Sequence, residues 1–162
     1  MIQAVNLKKW KELAIWMLGT LAAGIFSSLL AGDVQTAYAN LIKPEFAPPA
    51  ALFPAVWTIL YLLLGFAAYL VFSAGIHQPG VREALFYYIL GIAANVLWLP
   101  IFFRWELYGF AVIWLGMMLI LAAITAFQFY RIRRLAGVIV LVYLVWLMYA
   151  FVLAFSVYQL NP

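Results

Sequence analysis

Residues 107–130 read LYGFAVIWLGMMLILAAITAFQFY, with no Asp, Glu, Lys or Arg among them. A helix rises about 1.5 Å per residue, so this stretch reaches across a hydrocarbon layer of about 30 Å. Four further runs, 13–32, 46–76, 84–103 and 135–162, are equally free of charge. Lipid offers no partner to backbone N–H and C=O groups, so continuous apolar runs of this length must be helical. A transmembrane barrel would instead show strands of about 10 residues with alternating polarity, and these runs do not alternate. The expected fold is an all-α integral membrane protein, a bundle of five transmembrane helices over about 12–31, 50–74, 82–103, 107–130 and 134–158. The whole of 1–162 forms one domain on this reading, with a long connection at 32–49 and short ones elsewhere.

Composition supports this class and removes others. Of the 162 residues 70% are hydrophobic, and the 9% that are charged could not cover a soluble globule of this size. The formal surplus of +4 is too scattered for a nucleic-acid groove. The absence of cysteine removes disulfides, thiolate metal sites and cysteine nucleophiles.

Placement of the cations gives an orientation. Lys8, Lys9, Lys11, Arg82, Arg131, Arg133 and Arg134 fall at one end of the helices, and Lys43 and Arg104 at the other. Cytoplasmic loops carry the excess of Lys and Arg, so the N-terminus is expected in the cytoplasm and the C-terminus on the opposite side. Ala37-Tyr38-Ala39 has the small-x-small form of a signal-peptidase site. The charge-free run before it exceeds the apolar core of about 7–15 residues that signal peptides carry, so the segment is expected to remain as the first helix.

The helix centres hold no ionisable side chain. Glu12, Asp33, Glu45, Glu83 and Glu106 lie in loops or at helix ends, which argues against proton-coupled export. No lysine lies inside a helix to hold retinal, and no nucleophile–base pair can be assembled at depth. The single histidine, His77, falls in the turn beside Gln78-Pro79-Gly80 and reads as a solvated loop residue. Met17, Met117, Met118 and Met148 read as packing rather than as haem ligands, and no metal site is expected.

Polar and aromatic residues converge elsewhere. Trp57 and Tyr61 are four apart on one helix face. Asn95, Trp98 and Phe102 share a stripe on the third helix, and Asn95 is the one amide within the second and third spans. Pro100 lacks the N–H that would bond the Val96 carbonyl and should distort that helix near its end. Tyr143, Trp146, Tyr149, Ala150 and Leu153 form a stripe on the fifth helix. Several such stripes and one buried amide suggest a shared ligand cavity. Gly19-x3-Ala23, Ala23-x3-Ser27, Gly24-x3-Ser28 and Gly91-x3-Asn95 permit close helix approach, within the bundle or across a dimer face.

The pattern Lys43-Pro44-x-Phe46-x-Pro48-Pro49-x3-Phe53-Pro54-x-Val56-Trp57-Thr58-x-Leu60-Tyr61 resembles the signature of the TspO/MBR family. Its members are also called translocator proteins, peripheral-type benzodiazepine receptors or tryptophan-rich sensory proteins. Asn95-x2-Trp98-x-Pro100-x-Phe102-Phe103 is similar to the family's third-helix motif, and Tyr143-Leu144-x-Trp146-x3-Ala150-x2-Leu153 to its fifth. The resemblance implies a homodimer of five-helix bundles with a cavity opening toward the first loop. It implies binding of porphyrins such as protoporphyrin IX, as ligand rather than cofactor, and of isoquinoline carboxamides and benzodiazepines. By position, Tyr38, Pro48, Trp57, Tyr61, Asn95, Trp98, Phe102, Trp146 and Ala150 are the expected ligand-binding residues, with Trp57 and Asn95 as hydrogen-bond donors to ligand carbonyls. Some bacterial members are reported to degrade protoporphyrin in light, which makes Trp57 and Trp146 the candidate catalytic pair should this chain be an enzyme; a passive transporter or a scaffold regulating tetrapyrrole metabolism is the remaining alternative. The chain departs from the family pattern at Val142, Ala154 and Leu99, where proline, asparagine and a polar residue are usual. No basic residue follows Tyr158, which disfavours the family's sterol motif.

Overall fold

The computed structural model describes residues 2–161; Met1 and Pro162, the ends of the expected domain, lie outside it. Among the described residues every regular element is helical: α1 (Ile2–Ala31), α2 (Val34–Asn40), α3 (Leu52–Phe72), α4 (Val81–Leu99), a π-helical turn (Pro100–Arg104), α5 (Tyr108–Ile132) and α6 (Arg134–Leu160). Five spans, Leu7–Ala31, Leu52–Phe72, Val81–Arg104, Tyr108–Ile132 and Arg134–Leu160, are long and apolar enough to cross a membrane.

Three details differ from the sequence reading. First, α1 starts at Ile2 rather than near residue 12, so Lys8, Lys9 and Lys11 ride on the helix. Charge sets where a helix leaves hydrocarbon, and the helix itself can continue into water. Second, the connection at 32–49 contains α2. Asp33 caps it, accepting Thr36 N–H at 3.1 Å and the Thr36 hydroxyl at 2.6 Å, an N-cap that satisfies otherwise unpaired amides. Third, the third span changes at Pro100 from α to π geometry, with Trp105 N–H donating to Pro100 C=O at 3.0 Å. The missing proline N–H forces this adjustment. At the same place Ser27 Oγ of α1 donates to the Val96 carbonyl at 2.8 Å.

Small residues decide how closely α1 and α3 approach. A Cβ on Gly65 would lie 2.5 Å from Met17 Cα and 2.6 Å from Trp16 O. A Cβ on Gly24 would enter the Tyr61 ring. Those two glycines are therefore contact points inside the bundle. A Cβ on Gly19 or Gly91 would meet nothing within 4 Å.

Candidate functional site: an aromatic cavity at the loop end

A cavity of about 410 Å³ lies between α1, α3, the α4–π segment and α6, beside α2. Its walls carry Phe53, Trp57, Trp98, Phe102 and Trp146, with Tyr38 on the α2 side. The rings form a connected set. Trp57 lies 5.5 Å from Tyr61, 6.3 Å from Tyr143 and 6.5 Å from Trp146 between centroids, and Phe53 lies 5.1 Å from Tyr38. Trp98 stacks on Phe102 at 5.2 Å and donates its indole N–H away from the cavity, to Ala111 C=O at 3.2 Å. It therefore presents only a ring face to the cavity. Trp146 Nε1, by contrast, is buried without a partner.

The floor is polar and self-satisfied. Tyr61 OH donates to Asn95 Oδ1 at 2.8 Å, and Asn95 Nδ2 donates to Tyr143 OH at 2.7 Å. Asn95 is 2% exposed, and this chain of bonds ties α3, α4 and α6 together. Each buried polar atom would cost about 1–3 kcal/mol if left unpaired, so the trio holds its geometry.

Lys43 and Asn161 organise the loop end. Lys43 Nζ donates to Tyr38, Ala39 and Leu41 carbonyls at 2.8, 3.1 and 2.8 Å, which caps the end of α2. Its ammonium also lies 5.0 Å from the Tyr38 ring centroid. Asn161 grips Ile42 at both backbone atoms, accepting its N–H at 3.0 Å and donating to its C=O at 2.9 Å. Tyr38 OH donates to Pro48 C=O at 2.8 Å, and Tyr149 OH to Phe46 C=O at 3.2 Å. Burial pushes the Tyr38 hydroxyl above its usual pKa, with Tyr149 adding to it, so it serves as a neutral donor. The hydroxyl and then the amide of Thr36 hold the Asp33 carboxyl below its usual value.

The profile of the TspO/MBR family matches residues 16–160. The chain belongs to the TspO/MBR family. It is 34% identical to the tryptophan-rich protein TspO of Archaeoglobus fulgidus over 93% of this chain and 97% of that one. It is 36% identical to a tryptophan-rich sensory protein of Cereibacter sphaeroides, over 76% of each. Human translocator protein is 31% identical over 88% of this chain and 85% of its own. With its five spans, the chain is an integral, multi-pass membrane protein.

The family motifs now have places. Tyr38, Trp57, Tyr61, Trp98, Phe102, Trp146 and Ala150 line the cavity as a group. Asn95 and Pro48 do not: the Asn95 amide lies beneath the floor with both ends engaged, and Pro48 contributes a carbonyl that positions Tyr38. In this arrangement the Asn95 amide positions the Tyr61 and Tyr143 hydroxyls. Val142 faces outward on an unbroken α6. Leu99 and Ala154 face the cavity, replacing family polar groups with apolar ones. The sequence reading missed the wall that α1 supplies through Leu21, Gly24, Ile25 and Ser28. The signal is the Gly24-x3-Ser28 pair, whose small side chains suit a cavity wall as well as close helix approach.

Proposed function

We propose that this protein is a membrane receptor of the translocator type whose cavity binds flat, conjugated, apolar molecules, with protoporphyrin IX and isoquinoline carboxamides as representatives. The ring set around the 410 Å³ cavity carries the reading. Indole, phenyl and phenol faces stack on a planar π system in offset or edge-on geometry, and a cavity of this size suits a single small ligand. No His, Cys or Met is among the lining residues to hold iron, which favours the metal-free macrocycle over haem. Relatives named translocator protein and tryptophan-rich sensory protein are consistent with this role. Titration with protoporphyrin IX and with an isoquinoline carboxamide, followed by tryptophan fluorescence, tests it. Saturable quenching lost in Trp57→Ala and Trp146→Ala supports the reading, and linear, non-saturating quenching overturns it.

A second reading rests on the separation of 6.5 Å between the Trp57 and Trp146 rings at one wall. Two indoles in that position can each give an electron to a photo-excited porphyrin, with dioxygen as the oxidant that reoxidises and cleaves the reduced macrocycle, making the protein a light-dependent porphyrin-degrading enzyme. Under illumination in air, loss of the porphyrin bands with a new product, abolished in the Trp57→Phe, Trp146→Phe double variant, selects this reading; reversible quenching without product selects the receptor.

The distribution of cations supports a cytoplasmic N-terminus. Gly19 and Gly91, open on the bundle surface, support a homodimer through small-residue helix faces.

A further inference from the structure

We propose that ligands reach the cavity sideways, from the hydrocarbon of the leaflet at the loop end, through a gap between α1 and α3. The inference rests on the ligand-binding reading above and adds the route.

Three other sides of the cavity are fastened, while at the α1–α2 turn Gly32, Asp33 and Gln35 line it and are exposed, so the opening runs on from the α1–α3 side to that turn. Between α1 and the third span, Ser27 Oγ bonds Val96 C=O at 2.8 Å and Arg104 Nη1 bonds Leu30 C=O at 3.0 Å. Between α3 and α6, Phe53 and Trp57 both meet the Trp146 ring, at 6.3 and 6.5 Å. At the loop end, the segment leading from α2 to α3 is held to α6 by the two-point grip of Asn161 on Ile42 and by Tyr149 on Phe46. None of residues 41–49 lines the cavity; they lie behind Tyr38 and Phe53.

The α1–α3 side differs along its length. Near the lysine-bearing end the helices touch, backbone against Gly65 and the Tyr61 ring against Gly24. One turn further along, the register of two antiparallel helices would bring Ser28 toward Thr58 and Pro54. There Ile25 and Ser28 on α1, and Pro54 and Thr58 on α3, all line the cavity and are all exposed on the bundle surface. Lining residues that are also exposed, on two neighbouring helices, mark the rim of the opening. Those four residues fall within the apolar stretches Leu7–Ala31 and Leu52–Phe72, and the proposal sets bilayer hydrocarbon at the opening. The Thr58 hydroxyl donates to Pro54 C=O on its own helix at 2.7 Å, which leaves the rim with little demand for water. Helix α1 is also the least buried span, with 11% of its apolar window covered against 33% or 39% elsewhere.

The chain has no cysteine, so two introduced thiols are unique. Ser28→Cys with Thr58→Cys, spanned by a short bis-methanethiosulfonate in liposomes, closes the gap; Ile42→Cys with Asn161→Cys, bridged alike, pins the loop segment instead. Stopped-flow fluorescence then follows protoporphyrin IX. Relative to the unbridged double variant, the 28–58 bridge is expected to slow association and dissociation by about tenfold or more, and reductant to restore both. The 42–161 bridge is expected to leave both rates within about twofold. The reverse pattern, or rates untouched by the 28–58 bridge, overturns the route. A second measurement needs no porphyrin: in vesicles of phosphatidylcholine brominated on its acyl chains, the unbridged 28–58 variant should lose more tryptophan fluorescence than its bridged form, and equal quenching overturns the opening. An unbridged protein that takes up no porphyrin refutes the ligand reading instead, and the brominated vesicles still decide the gap.

Discussion

Around Tyr88 the bundle is closed: its ring stacks on Phe129 at 5.8 Å, its hydroxyl meets Thr20, and a void of only about 20 Å³ remains beside them. Around Trp57, toward the other end of the bundle, a larger aromatic set encloses about 410 Å³. Both regions hold packed rings, so the presence of rings does not decide which is solid and which hollow. The neighbours decide. Near Tyr88 the buried partners Ala67, Ala68, Ala84, Ala122 and Ala126 let helices close up around the rings. Near Trp57 the helices are held apart by the Tyr61–Asn95–Tyr143 floor and by the π turn at Pro100.

The largest effect should come from the contact that anchors the closed region. Gly65→Val drives a side chain into the Met17 and Trp16 backbone, and overpacking against backbone costs about 3 kcal/mol or more. The variant should unfold in detergent at much lower temperature than wild type, whereas Gly91→Ala, facing open space, should equal or exceed it, since alanine favours helix by about 0.5–1 kcal/mol. If Gly65→Val were to melt with wild type, close approach would not be what seals this region.

Next comes the floor. Asn95→Leu strips partners from two buried phenols and should cost about 2 kcal/mol, between the usual penalty for unpaired buried groups and the smaller couplings seen inside membranes. Melting temperature and ligand affinity should fall together, because the floor moves. A loss of carboxamide affinity at unchanged melting temperature would return Asn95 to the role of direct ligand donor. Ser27→Ala, which deprives Val96 C=O of its partner from α1, should cost about 1 kcal/mol and widen the hollow region without touching the closed one.

The smallest effect concerns pH. Asp33 is held below its usual pKa by Thr36 in the folded chain. A group depressed on folding favours the fold while ionised, so its contribution is present above the unfolded carboxylate value and fades as pH falls through the folded one. The protection of amides at the start of α2, taken relative to their intrinsic exchange rate, should therefore fall below pH of about 4, with Asp33→Asn flattening that dependence; identical pH profiles would remove Asp33 from the capping role.

Much of this was legible in the residues. The Trp57–Tyr61 pair, the Trp98–Phe102 stripe and the Trp146–Ala150 step each lie on one helix face, so helical period alone places their members together, and all line the cavity. The partners of Asn95 were not legible, because a buried amide in an apolar span advertises a need for partners without saying which. Tyr61 and Tyr143 met that need from helices 34 and 48 residues away in sequence. The α1 wall was hidden by its composition: Gly24 and Ser28 look alike whether a partner helix closes on them or leaves a gap. The short helix α2 was obscured by the prolines after it, although Asp33-x2-Thr36 carried its cap.

The five spans and the family follow from the sequence by itself, because hydrocarbon solvates no backbone group and so makes every long uncharged run a helix. Where those helices touch and where they part is a property of the tertiary structure. It depends on pairs distant in the chain, Gly65 with Met17, Tyr61 with Asn95, Asn161 with Ile42. Side chains of the same type fill space or frame it according to how near the neighbouring backbone is allowed to come.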